Sequence, residues 1–150
     1  SDRAQTIRTQ NFDFFLPKNK TAWNWLKNDD ELMPYFIAGY VDAEANFILN
    51  QGRARFKLDS YDYDLLLFIN KWLLVKGYNA RFRRIYKKGD TWNGKFPLNK
   101  DLWRLNINDM VSLPKFIKLL LPLIRHKKRK IDMKLCLRNI ECRQKKHANK

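Results

Sequence analysis

Acidic residues, cysteine and long apolar runs are all scarce in this 150-residue chain. The best candidate for a membrane segment, residues 119–124, is short and broken by Pro122, whereas a bilayer crossing needs about 20 apolar residues. No membrane span is expected. The N-terminus lacks the charged-then-apolar order of a secretory signal, which predicts an intracellular protein. Its first residue is Ser rather than Met, so the natural start stays open. The two cysteines, Cys136 and Cys142, form neither a CxxC pair nor a zinc pattern with His126 and His147. On one helix they would fall on different faces, because neighbours on a face lie three or four positions apart. Two reduced thiols and no structural zinc are expected.

Fifteen Asp and Glu against 31 Lys and Arg leave a formal charge of +16. Such an excess favours a polyanion: DNA, RNA or an anionic membrane face. Membrane binding usually relies on a basic helix with a bulky apolar face. Here the cations are spread over strands and loops as well as helices, which suits nucleic acid better. Hydrophobic residues make up 45% and aromatics 14%, so the chain is not wholly disordered. It is long enough to bury a core without staples.

A polar lead-in, residues 1–30, carries Phe12, Phe14, Phe15, Trp23 and Trp25, rings expected to pack onto the domain rather than stack on bases. Residues 31–42 read as a helix with Leu32, Tyr35, Phe36, Gly39 and Tyr40 on its apolar face. The period then changes. Asn46, Ile48 and Asn50 alternate with Phe47 and Leu49, and Gln51-Gly52 supplies a turn. Phe56 and Leu58 then alternate with Arg55, Lys57 and Asp59. A helix beginning near Ser60 carries Leu65, Phe68, Ile69, Trp72 and Leu73, with Gly77 at its C-terminal cap. Two more strands are expected at 81–86 and 102–107, joined by a polar loop at 87–100. A helix at 113–121 follows, with Ser112 as N-cap. After Pro122 come the basic run Arg125-His126-Lys127-Lys128-Arg129-Lys130 and a last helix striped with Met133, Cys136, Leu137 and Ile140.

This α-β-β-α-β-β-α-α order predicts an α+β domain whose four strands form one mostly antiparallel sheet, with helices on one face. The other face would hold Asn46, Asn50, Arg55, Lys57, Arg81, Arg83, Arg104 and Asn106. A merely solvated face usually mixes charge signs. This one offers Asp59 as its acid, so it resembles a β-surface that reads a DNA groove.

The run Ile37-Ala38-Gly39-Tyr40-Val41-Asp42-Ala43-Glu44-Ala45 resembles the nine-residue signature of the LAGLIDADG homing endonucleases. Ala38, Gly39, Asp42 and Ala43 match it outright, and the other five are substitutions the family accepts. The element order from about Leu32 to Ile140 agrees as well. The resemblance implies an N-terminal extension (1–30) and a single LAGLIDADG endonuclease domain (31–150). It also implies the αββαββα fold, with a saddle-shaped, DNA-binding antiparallel sheet and an extra C-terminal helix.

The motif makes sense chemically. Gly39 and Ala43 are four apart, with Ala38 beside them, and leave a shallow face on which a second helix can pack closely. The same face on a symmetry mate gives a twofold contact, so Ala38, Gly39, Asp42 and Ala43 form the expected dimer interface. Glu44 would then approach its own copy, and two close carboxylates require a cation or proton between them. By resemblance, Glu44 is the metal-binding and catalytic carboxylate, and Asp42 secures the helix end. One motif without a second implies a homodimer and a palindromic or near-palindromic target.

The resemblance implies site-specific cleavage of both strands of a long DNA target by Mg²⁺-dependent phosphodiester hydrolysis, with Ca²⁺ or Mn²⁺ able to substitute in binding or cleavage. Lys127 is the best match for the basic residue beside the water; Lys128 and Arg129 lie one and two positions further on, within a register error. Ser60 stands where relatives hold a longer polar residue, and it reads more readily as a helix cap than as a catalytic group. Asn46, Ile48, Asn50, Arg53, Arg55, Lys57, Asp59, Arg81, Arg83, Arg104, Asn106 and Lys128 are the expected DNA contacts, Arg for guanine and Asn for adenine. The Gln51-Gly52 turn is short, and the loop with Lys87, Lys88, Trp92 and Lys95 could supply part of the outlying contact. The alternative is a maturase acting on intron RNA, or a DNA-binding regulator without cleavage. Microbial cytoplasm is the expected compartment, with a chloroplast or mitochondrion encoding a mobile intron close behind.

Overall fold

A computed structural model of the chain describes residues 20–92, 94 and 96–149, so Phe12, Phe14 and Phe15 lie outside the described residues. Each element follows from local chemistry. A short helix, α1 (Lys20–Leu26), inserts Trp23 and Leu26 into the core, and Trp23 stacks on Phe68 at 4.8 Å. Trp25 stays 46% exposed, so the lead-in rings divide between packing and solvent. The Asp29 carboxylate accepts the N–H groups of Glu31 and Leu32 at 3.1 and 3.0 Å and opens α2 (Leu32–Glu44). The helix was expected to end at Asp42. It continues to Glu44 and passes without a loop into β1 (Ala45–Asn50).

β1 turns back through Gln51 and Gly52, both at positive φ (52° and 71°), the backbone that a two-residue hairpin turn requires. β2 (Arg53–Ser60) follows, and then α3 (Tyr63–Val75). The N-cap of α3 is Asp62, whose carboxylate accepts the Leu65 N–H at 3.1 Å. Ser60, expected as that cap, is the last strand residue, and its hydroxyl accepts the Asp62 N–H at 3.0 Å. At the far end Gly77, at φ 86°, lets its own N–H reach the Leu74 carbonyl and the Tyr78 N–H reach the Leu73 carbonyl, as a left-handed helix stop does.

β3 (Arg81–Tyr86) and β6 (Leu102–Ile107) flank a connection that was expected to be plain loop. It contains a small ribbon, β4 (Thr91–Trp92) and β5 (Phe96–Pro97). α4 (Ser112–Leu120) starts on Ser112 instead of being capped by it. The Asp109 carboxylate takes the Val111 and Ser112 N–H groups at 3.1 and 2.7 Å, while Ser112 Oγ accepts the Asn79 N–H at 2.8 Å. A 3-10 turn (Leu121–Leu123) leads to α5 (Lys127–Ala148), capped by the His126 side chain.

The strands form one antiparallel sheet in the order β1-β2-β6-β3, with the β4–β5 ribbon separate. On its inner face Ala45, Phe47, Ala54, Phe56, Leu58, Leu105 and Ile107 are buried in one core with residues of α2 to α5. Leu49, expected on that face, is 50% exposed because β1 is an edge strand near its turn. The apolar face of α2 also differs from expectation. Met33, Pro34, Ile37, Ala38 and Val41 are buried, while Tyr35, Gly39 and Tyr40 are only half-buried.

Candidate nucleic-acid interface and motif cleft

Period two along each strand sends alternate side chains to opposite faces, and the register aligns them across strands. One row runs Asn46, Lys57, Asn106, Arg81 across all four strands. A second runs Asp59, Arg104, Arg83. Ile48 stands opposite Arg55, and Asn50 opposite Arg53. The polar and basic strand residues singled out in the sequence therefore share one face, and the helices cover the other.

Their chemistry is not uniform. Arg104 donates from Nε to Asp59 Oδ1 at 2.7 Å and from Nη2 to Asp59 Oδ2 at 2.9 Å. That paired hydrogen bond raises the guanidinium above its ordinary pKa and occupies the fork that would otherwise grip guanine. Arg81 and Arg83 are exposed and have no acidic partner among the described residues. Asn106 is only 9% exposed and lies low between its row neighbours.

At one end of the sheet α2 delivers Glu44, exposed, into a cleft of about 680 Å³ that also contains Asp59, Ser60, Asp62, Lys100 and Leu102. Ser60 thus faces the same space as Glu44. Lys127, exposed as the first residue of α5, does not line that cleft, and neither does Lys128. The N-terminus of α5 is nevertheless tied to the motif. Asp42 accepts the Arg125 N–H at 3.0 Å and the His126 N–H at 3.1 Å, and Arg129 Nη1 donates to the Asp42 carbonyl. Sequence reasoning named Lys127 within the basic run, yet Arg129 is the side chain that touches the motif helix. Six consecutive residues of similar chemistry gave no signal to choose among them.

The expected helix contact face divides. Ala38 is buried in this chain's own core at 3% exposure, and the Asp42 carboxylate is engaged within the chain. Gly39 is half-buried and Ala43 exposed, so these two keep the open part of that face.

A divalent cation fits the site in part. The Glu44 carboxylate is a hard oxygen ligand open to solvent, as Mg²⁺ prefers. No group of three His, Cys, Asp or Glu among the described residues is placed to hold a metal. Further ligands beside Glu44 would come from water, a phosphate or a second copy.

No family model matches the sequence, nor does any curated protein. Among solved structures, the chain is similar to the homing endonuclease I-CvuI bound to an I-CreI target in 2 mM Mg with the DNA not cleaved. The TM-score is 0.51 at 19% identity, over 75% of this chain and 68% of that one. A second I-CvuI complex, with its own target in 2 mM Ca, gives 0.48 at 20% identity over the same shares. The first likeness shows the fold: the chain has the α+β architecture of the LAGLIDADG endonucleases.

Proposed function

We propose that two copies of this chain form a site-specific homing endonuclease, which makes a double-strand break in a long palindromic or near-palindromic DNA target. The observation that carries the reading is the four-strand row Asn46–Lys57–Asn106–Arg81 on a face that no described helix covers, with Glu44 delivered to a cleft at the end of the same sheet. The exposed arginines of that face suit guanine edges, and its lysine, Lys57, suits a phosphate.

Glu44 from each copy would hold the divalent ion, Mg²⁺ with Ca²⁺ or Mn²⁺ as substitutes. Such an ion supplies Lewis acidity and a more acidic water. The chain's own residues do the rest. Lys127 and Arg129, at a helix start fixed by Asp42, counter charge that grows on the phosphate. Ser60 borders the reacting space and hydrogen-bonds water there. Gly39 and Ala43 give the twofold contact that brings two Glu44 side chains to one axis. Domain limits of 1–30 and 31–150 and an intracellular setting belong to the same reading.

One observation favours a second reading, specific binding without cleavage as a maturase or regulator. The Ser60 hydroxyl already accepts the Asp62 N–H, and so has less to offer water. A plasmid library of palindromic targets decides between the two, with Mg²⁺ and with Ca²⁺, for wild type and Glu44→Gln. Cuts that need Mg²⁺ and Glu44, centred on one symmetric sequence, are expected, with a loss of at least about a hundredfold in the variant. Retention of one sequence without any cut supports the second reading.

A further inference from the structure

The connection from β3 to β6 spans residues 87–101, whereas a β-hairpin needs about two to five. Its described residues form a braced arm. Trp92 pairs with Phe96 across its ribbon. Asp90 accepts the Lys87 N–H at 2.9 Å, and Asp101 accepts the Lys88 N–H at 2.6 Å and Arg84 Nη1 at 3.3 Å. The Gly89 N–H donates to the Leu98 carbonyl and the Leu98 N–H to the Asp90 carbonyl, both at 2.8 Å. Both acids of the arm are therefore engaged in holding it, and the charges left outward among the described residues are the exposed Lys87, Lys88 and Lys100. Between Lys88 and Lys100 in sequence comes Phe96, 80% exposed. An exposed ring flanked in sequence by lysines is the combination that base stacking or wedging uses, with cations for the phosphates.

Its position says what the contact is. Tyr86 pairs with Leu102 and Ser60 with Trp103, so the arm leaves the sheet at the end that carries Glu44. Lys100 and Leu102 line the same cleft as Glu44 and Ser60. The Gln51-Gly52 turn lies at the opposite end, so the arm cannot replace its outlying contacts as the sequence suggested.

We propose that residues 87–101 form an arm for duplex DNA that sets Phe96 against base steps beside the Glu44–Ser60 cleft, with Lys88 and Lys100 on the flanking phosphates. The inference rests on the DNA reading above. Outward cations favour a polyanion over a second copy of a chain that itself carries +16. A phenyl ring offers no hydrogen bond to a base edge. Its contribution is to wedge between bases and bend the duplex, which is easiest at flexible pyrimidine–purine steps.

The probe is a duplex recovered by the wild type from a random pool, remade with 2-aminopurine at successive positions. Wild-type binding should brighten the probe at central positions. Phe96→Ala should remove that signal and weaken binding about tenfold with the same salt slope. Lys88→Ala with Lys100→Ala should lower the slope and keep the signal. Unchanged brightening and affinity in Phe96→Ala, or brightening confined to outer positions, overturns the proposal. So does an effect of Phe96→Ala on self-association alone, which would make a second copy the occupant. A wild type that recovers no duplex overturns the DNA reading as well.

Discussion

The two faces of β2 are made by alternate residues of one eight-residue strand and behave as different materials. Ala54, Phe56 and Leu58 point inward and are at most 1% exposed. Arg53, Arg55, Lys57 and Asp59 point outward; Arg53, Lys57 and Asp59 align with polar residues of the neighbouring strands, and Arg55 stands opposite Ile48. The inner face is fixed by packing, where a lost ring leaves a cavity. The outer face has no such constraint, and its composition answers to a partner. A strand of this kind separates stability from function at every second position.

That separation can be broken in order of size. Phe56→Ala should destabilise the fold by about 3–5 kcal/mol, read by denaturant unfolding, because Phe56 is fully buried against Phe47 and Phe116. DNA affinity per folded molecule should hold. Lys57→Ala should leave stability within about 0.5 kcal/mol and reduce the salt slope of DNA binding by about 1. An unfolding midpoint that falls as far as for Phe56→Ala would erase the distinction between the faces.

Thiol chemistry reports the same contrast without mutation. Burial pushes the Cys136 thiol up to about 11, whereas Cys142 is exposed. One thiol should react with an alkylating reagent in the native protein near neutral pH, and two after unfolding. The smallest effect concerns the arm. The Lys88 N–H, then Arg84, holds the Asp101 carboxyl below the usual aspartate range. Its support is therefore full above the unfolded value and fades as pH falls through the folded one. Acidification should speed hydrogen exchange at the Lys88 amide in wild type, and Asp101→Asn should flatten that dependence.

Much of the fold was legible because it rests on periods. Phe56 and Leu58 alternating with Arg55, Lys57 and Asp59 state both faces of the sheet in the chain itself. The motif Ala38-Gly39-Tyr40-Val41-Asp42-Ala43-Glu44 located the helix that ends at the cleft. What stayed hidden depends on tertiary partners. Ser60 and Ser112 both look like helix caps, yet the carboxylates of Asp62 and Asp109, two and three positions away, take the N–H groups at the helix starts. Ala38 reads as an interface residue but is enclosed by its own chain. Arg104 reads as a free cation until the register sets Asp59 opposite it. The arm at 87–101 carries too weak a pattern to be seen as a ribbon.

Protection footprinting on a duplex selected from a random pool tests the central claim most directly. The account predicts a twofold-symmetric protected site, weakened by Arg81→Ala and Arg83→Ala and insensitive to Leu49→Ala on the opposite face. Uniform protection indifferent to sequence, governed by salt alone, would contradict it and make the open face a general polyanion surface.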